Sequence, residues 1–252
     1  MWFRSIIAGL ACSLAAFPAH AEVKPYRVSL VGDSFDGQAW RTGVLIELDP
    51  GWKTYWRMPG EAGIPPEFTW KTSVPARIEV KLPAPARYAD QSGETVGYER
   101  EVLFPVTVEA GAAAEVDLGL ELFFAVCKDI CIPARAEASI ALGSLARDPQ
   151  GAQRVSEAMK AVPEAGTAVT AGRIDMEGGK PVLKLSLKEK LEDIFVETTG
   201  TAYFRRPAFS GTGTEAALPI DNLADPAKLS GTALKLTYRL GGRGFEQTIT
   251  LP

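Results

Sequence analysis

Val116-Asp-Leu-Gly-Leu-Glu-Leu-Phe-Phe-Ala-Val-Cys127-Lys-Asp-Ile-Cys131-Ile-Pro-Ala-Arg-Ala-Glu-Ala-Ser-Ile-Ala-Leu142 decides how the chain is read. Successive residues of a strand point to opposite faces. Before the cysteines, Val116, Leu118, Leu120, Leu122, Phe124 and Val126 share one face. After them, Ile132, Ala134, Ala136, Ala138, Ile140 and Leu142 do the same. Every even position is apolar, whereas the odd face carries Asp117, Glu121, Cys127, Cys131, Arg135 and Glu137. This is the pattern of a half-buried β-hairpin, and it predicts that both cysteines sit on its non-core face.

The spacing has a geometric consequence. If residues 128–130 form a three-residue loop, Cys127 and Cys131 face each other across the strands. Opposed residues in a non-hydrogen-bonded antiparallel pair have Cα atoms roughly 4.5 Å apart, and disulfides accept about 4.4 to 6.8 Å. The pair can therefore bridge, and reopen, with little backbone movement. A loop this short adds only about 2 kcal/mol by chain entropy, against about 5 kcal/mol for a loop of a hundred residues. An outward placement also gives a partner thiol access. Lys128 favours a thiolate and Asp129 opposes it, so the sign of their joint effect is not set by sequence. Composition and spacing leave three readings open: a redox pair, a structural staple and a soft-metal site.

Short alternating runs broken by Gly, Pro and Asp extend on both sides of the hairpin. Gly43-Val-Leu-Ile-Glu-Leu48, Arg77-Ile-Glu-Val-Lys-Leu82 and Val102-Leu-Phe-Pro-Val-Thr-Val108 are examples. They predict an all-β sandwich over residues 22–146, with the strand holding Pro105 at an edge or bulge. Residues 149–161 read as a short helix, with Asp148 as N-cap, Pro149 at the first helical position and Pro163 beyond the end. The stretch 147–164 is thus expected to be a helical linker. Strand patterns return in 165–252: Pro181-Val-Leu-Lys-Leu-Ser-Leu187, Ala233-Leu-Lys-Leu-Thr-Tyr238 and Phe245-Glu-Gln-Thr-Ile-Thr-Leu251, with a turn at Gly241-Gly242. This part is read as a second, smaller β-sandwich. Residues 234–251 repeat the hairpin layout of 118–142 without its cysteines.

The first residues set the compartment and the chemistry. Arg4, an apolar run from Ser5 to Phe17 and a small-x-small site ending at Ala21 read as a secretory signal peptide over residues 1–21. A membrane anchor is the alternative, but the run is too short to span a bilayer. The chain has one histidine and three cysteines. Cleavage after Ala21 removes His20 and Cys12. The mature chain, about 230 residues long, then has no histidine. That excludes Ser-His-Asp and Cys-His catalysis, and two cysteines alone do not close a zinc site. No cofactor is called for. The formal net charge is −4, which argues against nucleic acid as a partner. No later apolar stretch is long enough to span a membrane.

Other features have ordinary readings. Trp52, Tyr55, Trp56 and Trp70 form an aromatic cluster in sequence, read first as sandwich core and second as a wall beside the cysteines. Residues 63–66, Gly-Ile-Pro-Pro, read as a turn or edge. Ser210-Gly-Thr-Gly213 lacks the Lys-Ser/Thr ending of a phosphate loop. The charged stretch 188–193 reads as a solvated loop or helical turn.

Four segments together resemble the N-terminal domain family of the thiol:disulfide interchange protein DsbD and its suppressor-of-copper-sensitivity relatives. They are Gly51-Trp-Lys-Thr-Tyr-Trp-Arg57, Pro83-Ala-Pro-Ala-Arg-Tyr88, Gly97-Tyr-Glu-Arg-Glu-Val-Leu-Phe-Pro-Val-Thr-Val108 and Cys127-Lys-Asp-Ile-Cys131-Ile-Pro133. The resemblance implies an immunoglobulin-like sandwich in the periplasm. It implies a redox pair, Cys127 and Cys131, that takes electrons from a membrane-embedded thiol reductase and passes them to thioredoxin-like periplasmic proteins. It also implies that Cys131 forms the mixed disulfides, with Tyr55, Asp90, Gln91 and Lys128 around the pair. Two features depart from the family: three residues separate the cysteines here instead of five, and the stretch matching its cap loop, Ala89-Asp-Gln-Ser-Gly93, has no aromatic residue. The rival expectation is a non-catalytic immunoglobulin-like binding module with a structural bridge, acting in envelope assembly or copper tolerance.

Overall fold

The computed structural model describes residues 24–60, 63–90, 93–143, 148–223 and 225–252. The expected signal peptide lies outside them. Ten strands come first: β1 (Tyr26–Phe35), β2 (Trp40–Leu48), β3 (Lys53–Gly60), β4 (Glu67–Thr72), β5 (Arg77–Val80), β6 (Ala86–Asp90), β7 (Gly93–Glu99), β8 (Glu101–Glu109), β9 (Val116–Cys127) and β10 (Cys131–Leu142). They form two sheets, one ordered β1-β2-β8-β5 and the other β10-β9-β3-β7-β6, with β4 also paired to β9. The even face of β9 is buried along its whole length. It packs with Val44, Ile46, Trp56, Tyr98, Phe104 and Val106 into one core. The alternation in sequence thus becomes the alternation between core and surface.

Pro105 is a correction to the sequence reading. Its strand, β8, is interior, paired to β2 on one side and to β5 on the other. Lys81 N donates to the Pro105 carbonyl. A strand residue's N–H and C=O point to the same side, so the donor that proline lacks would face the β5 side. There the regular β5 pairing stops at Val80, opposite Val106, and of the next pair only the bond from Lys81 N is made, at the end of β5 where the strand leaves the sheet.

The helix α1 (Pro149–Lys160) has Asp148 as its N-cap and Pro149 in its first turn. It lies against the first sandwich, with Val155 packed against Leu45 and Leu103 on the outer face of the β1-β2-β8 sheet. Asp148 joins two elements: one carboxylate oxygen accepts from Gly151 N at 2.8 Å and the other from Gly32 N of β1 at 3.1 Å.

Nine shorter strands follow: β11 (Glu164–Ala165), β12 (Val169–Glu177), β13 (Lys180–Leu187), β14 (Asp193–Glu197), β15 (Tyr203–Phe204), β16 (Ala208–Phe209), β17 (Glu215–Asp221), β18 (Ala233–Leu240) and β19 (Arg243–Thr250). They form sheets ordered β11-β19-β18-β14 and β12-β13-β17-β15, with β16 on β17. Leu183, Leu185, Ile194, Leu218, Leu234, Leu236 and Tyr238 fill the space between. The β18–β19 hairpin turns through Gly241 and Gly242, both at positive φ. The charged stretch 188–193 is mostly exposed, but Leu191 within it is buried, and Asp193 at its end binds Arg87 of the first sandwich. Among the described residues the fold is all-β apart from α1 and a 3₁₀ turn at Pro226–Leu229. Among the described residues, no helix is long and apolar enough to cross a membrane.

Asp148 both caps α1 and anchors it to β1. Replacing it with alanine should therefore cost about 1 to 2 kcal/mol. Urea unfolding of Asp148→Ala should show a lower midpoint with an unchanged slope. An unchanged midpoint would mean that the helix contributes nothing to the sandwich it covers.

Candidate functional site

The cysteine site begins with strand register. In the β9–β10 hairpin every residue from Val116 to Cys127 has its partner between Leu142 and Cys131, and Cys127 lies opposite Cys131. Residues 128–130 form the loop, with Lys128 N donating to Ile130 O. The two sulfurs are bonded, and the Cα atoms are 4.1 Å apart.

The two cysteines have different surroundings, which corrects the expectation that both face outward. Cys131 is exposed, whereas Cys127 is only 2% exposed. The odd face of β9 is covered at its end by side chains that β3 brings beside it, since Lys53 lies opposite Cys127, and Thr54 opposite Val126. Thr54 Oγ1 also donates to Ala125 O at 2.9 Å. This pairing carries Tyr55 onto Cys127 and Ala125, with Ile64 packed against the group. The Tyr55 hydroxyl stands 2.9 Å from Cys131 Sγ. A disulfide sulfur has no proton, so the hydroxyl is the donor.

Two glycines make this packing possible. Gly97 of β7 pairs with Tyr55 from the other side. A Cβ at Gly97 would lie 1.9 Å from Thr54 O, so any other residue would push β3 away. A Cβ at Gly63 would lie 2.5 Å from the Tyr55 ring. The segment 63–66 can lie on the tyrosine because residue 63 has no side chain. Of the aromatic residues grouped in sequence, Trp56 is in the core, Trp52 and Trp70 pack at its margin, and Tyr55 alone joins the cysteines.

The other residues singled out in the sequence lie further from the sulfurs or outside the described set. Lys128 is exposed, and its side chain runs along the turn at Gly51, where an added Cβ would lie 3.3 Å from Lys128 Cε. Asp90 ends β6 opposite Gly93; its side chain, like all of Gln91, lies outside the described residues. The sequence reading missed Ile64, Gly63, Gly97 and the apolar hairpin tip. Ile130 is 68% exposed, and Ile132, assigned to the core face by its even number, is 38% exposed. Ile132 is near the start of β10, the outer strand of its sheet, where a neighbour is present on one side only. An isoleucine in a three-residue loop beside a cysteine was the available signal.

This arrangement can support thiol–disulfide exchange at one sulfur. Displacement at a disulfide needs a thiolate to reach the sulfur it attacks. Cys131 offers that access, and Cys127 does not. The Tyr55 hydroxyl, already a donor to Cys131 Sγ, can also stabilise negative charge there, because a hydrogen bond to the charged form favours it.

Residues 24–142 match the family model described as thiol:disulfide interchange protein DsbD, N-terminal. Among solved structures, the chain is similar to the N-terminal periplasmic domain of ScsB from Proteus mirabilis. The TM-score is 0.69 at 23% identity, over 88% of this chain and 92% of that one. At that identity the likeness establishes the fold, and its coverage takes in both sandwiches. No curated protein matches the chain by sequence. By the match over residues 24–142, the cysteine-bearing sandwich belongs to the DsbD N-terminal domain family of thiol:disulfide interchange proteins.

Proposed function

We propose that this protein is an exported thiol–disulfide exchange protein. It relays electron pairs in the periplasm from a membrane-embedded thiol reductase to thioredoxin-like partners. One observation carries the reading: an exposed Cys131, with the Tyr55 hydroxyl on its sulfur, is bonded to a buried Cys127 directly across two strands.

The steps follow from the exposures. A thiolate of the reductase attacks Cys131 Sγ in line with the disulfide. A bond forms between the two proteins, and Cys127 Sγ leaves with the electron pair and takes up a proton. The second thiolate of the reductase then attacks its own sulfur in the mixed disulfide. Cys131 is released as a thiolate, and the reductase is left oxidised. In the onward step the Cys131 thiolate attacks the disulfide of a thioredoxin-like partner. Cys127, deprotonated, then attacks Cys131 Sγ, which reforms the intramolecular bond and releases the partner as a dithiol. The cysteines themselves hold the electrons, so no cofactor enters. Ile130 and Ile132, exposed beside Cys131, offer an apolar contact to a protein partner, whose approach would desolvate them.

Two measurements test this. Cys127→Ser should accumulate a mixed disulfide with a thioredoxin-like protein on a non-reducing gel, because the resolving thiol is gone. Cys131→Ser should not, because Cys127 is covered. If neither variant forms an adduct, and the wild-type bridge has a potential below about −300 mV, the bridge is a structural staple and the relay fails. Separately, Ile130→Glu should slow exchange with a protein disulfide about fivefold or more, on the scale of a single interface contact. Reduction by dithiothreitol, which needs no docking surface, should be unchanged. Equal slowing of both reactions would show that the tip is not a contact surface.

A further inference from the structure

The second sandwich contains no cysteine, so it contributes no electron carrier. It bonds to the first sandwich through β3, the strand that carries Tyr55, and through β7 and β6 beside it. Arg57 of β3, two residues past Tyr55, makes a paired hydrogen bond to Glu197 of β14 at 2.7 and 2.8 Å. It also binds Glu246 of β19 and, at 3.2 Å, the buried Thr237 of β18. Lys235 holds Glu246 from the other side at 2.9 Å. The Arg57 guanidinium lies over the Trp56 ring, 4.2 Å from its centroid.

A second cluster grips the neighbouring strands. Arg87 of β6, with its side chain only 3% exposed, donates to both Asp193 oxygens at 3.0 Å, to Ile194 O at 2.7 Å and to Glu94 of β7 at 2.6 Å. Glu94 also accepts from Tyr203 and Arg206 of the second sandwich. Phe195 of β14 inserts between the clusters. It stacks edge-on with Trp56 and under the Arg87 guanidinium, and it is buried with the first core.

Position distinguishes this interface from ordinary stabilisation. Between Tyr55 and Gly60 the pairing of β3 with β7 shifts register, so the sheet holds the chain least regularly just beyond Tyr55. Arg57 lies in that interval. On the far side, Arg87 pairs with Val96, next to the Gly97 that faces Tyr55. Partly buried ion pairs are a poor source of stability, because desolvation offsets their attraction, but their directional bonds can specify geometry.

We propose that the second sandwich is a positioning module for the cysteine site: through Arg57, held by Glu197 and Glu246, it fixes β3 so that the Tyr55 hydroxyl stays on the sulfur of Cys131. This rests on the exchange reading for its purpose but not for its test. Arg57 is a positioning residue that acts through Tyr55, the group in contact with the reacting atom.

The experiment uses the full chain carrying Cys127→Ser, so that Cys131 is the single thiol of the mature protein. The rate of its alkylation by iodoacetamide is followed against pH. Tyr55→Phe should raise the midpoint by about one unit, which lowers the thiolate fraction about tenfold at neutral pH. Arg57→Met should move the midpoint the same way by about half a unit or more, about threefold in thiolate fraction, and Arg57→Lys by less. Glu197→Gln with Glu246→Gln should match Arg57→Met; glutamines keep acceptors in place, so this variant decides if Arg57→Met does not fold. Lys128 and Asp129, the charged residues of the cysteine loop, are the same in every variant. The proposal is overturned if the folded Arg57 and glutamine variants superimpose on the parent profile, or if Tyr55→Phe leaves it unmoved. A shifted profile in a protein that exchanges with no protein disulfide would support the positioning role and remove the relay.

Discussion

One contact organises the site: β3 lies against the last residues of β9 and places Tyr55 over Cys127, with its hydroxyl on Cys131. The hairpin alone would present two equivalent sulfurs on an open face. Adding β3 breaks that equivalence by covering one sulfur and leaving the other exposed, with a donor in place. An exchange protein needs this asymmetry, since one thiol must meet partners and the other must wait to resolve the mixed disulfide. It arises here from ordinary strand pairing and two glycines that let the strands and the 63–66 segment close on the tyrosine.

The energetics allow the bond to open. A disulfide closing so short a loop contributes about 2 kcal/mol by chain entropy. The fold around it buries a long apolar face of β9 against a second sheet, and a single large aliphatic side chain contributes about 1.5 to 3 kcal/mol. The hairpin is held by its core face, and its cysteines lie on the other. Covalent change at the tip therefore leaves the register of β9 and β10 in place, and the pair can cycle without unfolding its own scaffold.

What was legible in the sequence was what depends on near neighbours. The hairpin from Val116 to Leu142 followed from period-two alternation, and the facing of Cys127 and Cys131 from loop length. Asp148 and Pro149 marked the start of α1, and Gly241-Gly242 the last turn. What was illegible depends on strands far away in sequence. Nothing near Cys127 says that Lys53 will pair with it, so its burial could not be read from the hairpin alone. Pro105 signalled an edge, but its strand is interior; the missing donor falls opposite the end of β5, a strand far away in sequence, where only one bond of the last pair is made. Ile132 obeyed the alternation and is still exposed, since parity gives the face and not whether that face is covered.

The same distinction bears on the second sandwich. Read by itself, 165–252 is a small β domain with no reactive group, and residues such as Asp193, Glu197 and Glu246 are ordinary strand-end and surface acids. Their arrangement acquires meaning only against Arg57 and Arg87, more than a hundred residues earlier in the chain. Buried and partly buried guanidinium groups impose direction: each fixes several acceptors in a plane, and a shift of either sandwich would leave charges unpaired in a half-dry interface. An apolar interface of the same area would tolerate sliding. Under the proposed positioning role, a hydroxyl that must stay 2.9 Å from one sulfur is better served by an interface that does not slide, and that gives a domain without cysteines a reason to remain attached to one that has them.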